Sequence, residues 1–102
     1  MVIAALTVVP LPAEGGYYET GNDLLEICRN NIHRVCLGYA AGIADAAYFT
    51  PLSGICIPSL VVLSQVRDVI VDHLVAHPET RHEPAYYLAN RALIAAWPCR
   101  VN

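Results

Sequence analysis

Cysteines at positions 28, 36, 56 and 99 constrain this 102-residue chain more than any other feature. A domain of this size buries only about two-thirds of the surface its unfolded chain would expose, so its core alone is marginal and any cross-link matters. The four cysteines form no C-x-x-C pair and no Cys/His knuckle spacing, which argues against structural zinc. Disulfides are the favoured reading, with free buried thiols as the alternative. Disulfides in turn imply an oxidising location, periplasmic or extracellular.

The rest of the composition suits a compact fold. Hydrophobic residues make up 56% of the chain and charged residues 15%, enough for a core and too few charges for disorder. The net charge is −3, and the basic residues Arg29, Arg34, Arg67, Arg81, Arg91 and Arg100 are scattered. No basic stripe tracks phosphates, so nucleic acid is not an expected partner.

Residues 1–16 stand apart from the domain expected over residues 17–102. Met1 to Ala13 is apolar and precedes Glu14, Gly15 and Gly16, like the hydrophobic part of a secretion signal, although no Lys or Arg comes before Arg29. A flexible or ordered arm is the alternative. Interrupted by Pro10 and Pro12, the stretch falls short of the roughly 20 apolar residues that cross a bilayer, so no membrane span is expected.

Four helices follow. Thr20 is placed to cap the first, with Asp23 favouring its positive end. Asn30 and Asn31 allow a turn, and a second helix is predicted over about residues 33–49, with Val35, Cys36, Tyr39, Ala40, Ile43 and Ala47 at helical spacing. Two prolines and a glycine make residues 50–58 a loop. A third helix, capped by Ser59, is predicted over about residues 60–76, where Val62, Leu63, Val66, Val69, Ile70, His73 and Leu74 recur every three or four positions. Pro78 ends it, residues 77–83 form a polar turn, and Pro84 suits the first position of a fourth helix reaching Trp97. That helix would present Leu88, Ala92, Ala95 and Ala96 to the core.

Short connections between consecutive helices favour an all-α, up-down four-helix bundle. In that arrangement Cys28 and Cys36 share one end, and Cys56 and Cys99 share the other. The second helix, at about 1.5 Å per residue, holds the ends roughly 25 Å apart, whereas a disulfide spans only about 6 Å between Cα atoms. The expected pairs are therefore Cys28–Cys36 and Cys56–Cys99. Loop-closure entropy assigns them about 2.6 and about 4 kcal/mol, upper values yet comparable to a domain's whole net stability of about 5 to 15 kcal/mol.

Candidate sites are few. Gly38, Gly42 and Ala46 recur every four residues, which suits either a tight crossing within the bundle or a homodimer face. Asp45 beside them has no second carboxylate at helical spacing to share acid and base roles, and is read as structural. His73 and His77 share a helical face, but the residue after His73 is Leu74, where a zinc protease has Glu, so no metal site is expected. With every sulfur paired there is no thiol nucleophile, and no phosphate loop or serine elbow occurs. The chain reads as a binding protein that needs no cofactor and is not an enzyme. Among its loops, residues 77–83 are the best partner-facing candidate, being charged and proline-bounded, with His77, Glu79, Arg81 and His82 as contacts; a plain solvated connection is the alternative.

The run from Cys36 to Ala46 (CLGYAAGIADA), then Cys56-Ile57-Pro58, Gln65, His77-Pro78-Glu79, Arg81-His82, Ala85 and Pro98-Cys99, resembles the Rap/Tai family of immunity proteins over about residues 20–99. The resemblance implies a periplasmic helical protein, commonly a homodimer. Such proteins protect a bacterium from peptidoglycan amidase toxins delivered by type VI secretion, by docking on the toxin and occluding its active-site cleft. The chain departs from the pattern at Leu60-Val61-Val62, which replace a Gly-Val-Thr-like start of the third helix. A second reading is a periplasmic acid-stress chaperone of the HdeA type, also small, helical and disulfide-bonded. Its histidines and acidic residues would change charge on acidification, dissociate a dimer and expose apolar surface.

Overall fold

The computed structural model describes residues 18–30 and 33–100; the signal-like or flexible segment 1–16 lies outside the described residues. Four helices follow in order: α1 (Gly21–Arg29), α2 (His33–Tyr48), α3 (Leu63–Ala76) and α4 (Ala85–Ala96), with one 3-10 turn at Pro78–Thr80. Among the described residues no helix is long and apolar enough to cross a membrane.

Local chemistry sets the helix starts. The Thr20 hydroxyl accepts from the Asp23 amide at 3.1 Å, and the Asp23 carboxylate accepts from the Thr20 amide at 3.0 Å. This reciprocal cap satisfies two donors that the first turn would otherwise leave unpaired. The third helix starts later than the sequence suggested: Val62, not Ser59, is its N-cap, and the Val62 amide donates to the Gln65 side chain at 2.8 Å. With no capping oxygen on valine, Gln65 reaches back to serve the helix end. Pro84 likewise stands one position earlier than expected, as the N-cap of α4 with extended ψ of 134°.

The core is built mainly on α4. Ala85, Leu88, Ala89, Ala92 and Leu93 are all buried, the i, i+3, i+4, i+7, i+8 stripe of a helix with one face inward. Ala95 and Ala96, expected inside, are exposed; the last turn overshoots the core, and the partly buried Trp97 packs there instead. Leu24 of α1 and Leu74 of α3 complete the most deeply buried set with Leu88 and Leu93. Val66, Ile70 and Leu74 line the inner face of α3, while Val62 and Leu63 remain exposed. On α2 the inner face is Cys36, Ala40 and Ala47, and Val35 points outward.

Both expected disulfides are present, with Cα separations of 5.0 Å for Cys28–Cys36 and 4.9 Å for Cys56–Cys99, and no cysteine is free. The first ties α1 to α2 directly. Around the second, the Cys56 amide donates to the Trp97 carbonyl at 2.8 Å and the Cys99 amide to the Gly54 carbonyl at 3.0 Å. Gly54 holds this turn at φ +76°, a left-handed conformation that a side chain would strain.

Candidate partner-binding surface

The connection between α3 and α4 is held from both sides. On its own side, the His77 amide donates to His73 at 3.0 Å, Thr80 to His77 at 3.2 Å and Glu83 to Thr80 at 2.9 Å. From α1, Gly21 donates to the Glu83 carbonyl at 2.9 Å and Asn22 to the Arg81 carbonyl at 2.8 Å, while Ala85 donates to Glu19 at 2.8 Å. A segment fixed in this way has little conformational freedom left to lose when a partner docks.

Of the four side chains expected to face a partner, His77, Glu79 and His82 are exposed. The His77 Nδ1 lies 2.9 Å from the Glu79 carboxylate, and the His77 ring is 4.4 Å from the half-buried ring of His73. A hydrogen bond from its own backbone amide, then one from His77, holds the Glu79 carboxyl below its usual range. Burial, followed by His77 and Arg91, pushes the His73 imidazole below its ordinary value. Arg81 differs from the other three: it is half-buried, and its Nε is enclosed with no acceptor among the described residues.

The small-residue stripe is open. Gly38, Gly42 and Ala46 are exposed on α2, and a β-carbon added at Gly38 or Gly42 would meet nothing within 4 Å among the described residues. Among the described residues no helix crosses tightly at these glycines. Asp45 is exposed and borders a groove of about 500 Å³ at the far end of α2, lined by Ala47, Tyr48, Pro51, Ile55, Ile57 and Cys99. Tyr48 and Phe49 stack edge-on at its rim, 5.0 Å between ring centres. Among the described residues no three His, Cys, Asp or Glu side chains are grouped so as to hold a metal ion.

The family model described as Rap1a immunity proteins matches residues 20–99. The chain belongs to the Rap1a immunity protein family. No curated protein and no solved structure matches it. The Rap1a match begins at Thr20, the cap of α1, and ends at Cys99, so it contains both disulfides and the whole α3–α4 connection.

Sequence reasoning missed the backing of that connection by α1. One signal was available: Gly21, a poor helix former, follows directly on the cap. A β-carbon there would collide with the Leu88 side chain and lie 3.0 Å from the Arg81 carbonyl, so glycine permits the close approach.

Proposed function

We propose that this Rap1a family member is a periplasmic immunity protein that binds a peptidoglycan amidase delivered by type VI secretion and occludes its active-site cleft. The family match over residues 20–99 carries the reading, and it favours immunity over the acid-stress chaperone. The two disulfides support export to an oxidising compartment, with residues 1–16 serving as the signal.

The docking element is the α3–α4 connection. Its exposed His77, Glu79 and His82 engage the amidase, and Arg81 contributes from the side nearer α1. Support comes from the backbone hydrogen bonds that fix the segment before binding, which limits the ordering penalty on association. The open Gly38, Gly42 and Ala46 stripe is the homodimer face: an exposed helix face without bulk lets a second α2 approach closely.

The test is a titration of the oxidised chain into the small Cys/His amidase encoded by a neighbouring reading frame, following peptidoglycan cross-link cleavage at neutral pH. Stoichiometric loss of cleavage supports immunity. Unchanged cleavage at excess chain, together with suppression of client aggregation in acid, would establish the chaperone instead.

A further inference from the structure

The outward face of α2 carries its charges the wrong way round for its own helix. Arg34 stands in the first turn, where the helix dipole is positive, and Asp45 stands in the last, where it is negative. Each placement opposes the isolated helix. Both side chains are exposed, and neither makes an ion pair among the described residues. Arg67, by contrast, is paired with Asp68 at 2.9 Å, and Arg91 lies over the Tyr87 ring at 5.5 Å.

At about 3.6 residues per turn, positions 34, 38, 42 and 45 fall within about 80° of one another around the helix axis. They lie on the side opposite the buried Cys36, Ala40 and Ala47. Their order is self-complementary about a single point. The midpoint between Arg34 and Asp45 and the midpoint between Gly38 and Gly42 both fall within one residue of Ala40. A two-fold axis through that point, perpendicular to α2, brings Gly38 against Gly42 of the partner subunit and Arg34 against Asp45 of the partner subunit, and repeats both contacts. The glycines let the two backbones close, and the ion pairs flank them at either end.

The same pairing lays Arg34 beside the negative end of the second helix and Asp45 beside its positive end. Charges that oppose their own helix thus suit an antiparallel neighbour. A parallel pairing would instead set arginine against arginine and aspartate against aspartate, repelling at both ends.

We propose that a second copy of this chain docks on this face antiparallel, α2 against α2, with Arg34 and Asp45 forming two symmetry-related ion pairs across the Gly38–Gly42 crossing. Resting on the homodimer reading above, the pairing adds its orientation and its charge contacts. A single helix face is smaller than the roughly 800 Å² per partner of a standard interface, so the dimer dissociates in an accessible concentration range and a change of charge is read directly in its dissociation constant.

Sedimentation velocity of the full oxidised chain over a concentration series gives that constant for the wild type, for Asp45→Arg, and for the double exchange Arg34→Asp with Asp45→Arg. The single reversal turns both ion pairs into like-charge contacts and should weaken the dimer at least about tenfold. The double exchange restores opposite charges across the axis and should return the constant to near the wild-type value. Both positions are exposed, so the amide spectrum of each variant should stay native. A dimer unchanged by Asp45→Arg, or one that the double exchange fails to restore, would overturn the antiparallel pairing and leave the homodimer reading standing. A wild-type chain that stays monomeric throughout the series would overturn both. No amidase enters the experiment, so its outcome is independent of the inhibition assay.

Discussion

Gly21 lies so close to Leu88 that no β-carbon fits between them. At the same junction the Gly21 and Asn22 amides donate to the carbonyls of Glu83 and Arg81. Gly21→Ala should therefore destabilise the domain by about 1 to 3 kcal/mol, the usual range for overpacking a tight site. A lower urea midpoint with unchanged slope would verify it, and hydrogen exchange at Asn22 and Gly21 should quicken more than at Ile70.

The two disulfides should differ in weight. Cys56 and Cys99 are separated by 43 residues and Cys28 and Cys36 by 8, so chain entropy favours the longer loop. Replacing both members by alanine should lower stability by up to about 4 kcal/mol for the first pair and about 2.6 for the second. Melting curves of the two double variants provide the comparison. Reduction of both should unfold or greatly loosen the domain.

Acid should weaken the fold in two stages. His73, Glu79 and Asp23 all have folded-state values below their ordinary ones; burial is the main cause for His73, and a backbone hydrogen bond for each carboxylate, from Thr20 in the case of Asp23. For each, the unfolded chain binds the proton more readily, so stability is full above the unfolded value and is lost as pH falls through the folded one. The His73 stage begins below about 6.5, and the carboxylate stage below 4.5 for Glu79 and 3.8 for Asp23. His73→Gln should remove the upper stage from a plot of urea midpoint against pH and leave the lower one.

The open stripe on α2 separates folding from association. Because an added β-carbon at Gly38 or Gly42 meets nothing among the described residues, alanine at either should stabilise the helix by up to about 1 kcal/mol. Gly42→Arg should leave the fold intact and turn the proposed homodimer into a monomer in sedimentation velocity runs.

Much of this was legible in the residues. Thr20 and Asp23 announced α1, the loop lengths placed the cysteines in pairs, and the apolar repeat of Val66, Ile70 and Leu74 marked α3. What escaped were features set by tertiary contact. Ser59 is as good a cap as any by residue type, yet helical geometry begins only after Val62, where Gln65 satisfies the free amide. The α4 repeat fitted two overlapping faces, and packing selected the one containing Ala89 and Leu93. Arg81 looked like its exposed neighbours because nothing local tells that α1 lies beside it.

The fixed α3–α4 connection is the proposed surface for the amidase. Its most direct test is titration calorimetry of the amidase with the oxidised wild-type chain and with a variant carrying His77→Ala, Glu79→Ala and His82→Ala. These side chains are exposed, so melting temperature should change little at neutral pH while affinity falls at least about a hundredfold, as for the loss of contacts at the centre of an interface. Wild-type affinity in a fully folded triple variant would contradict the account.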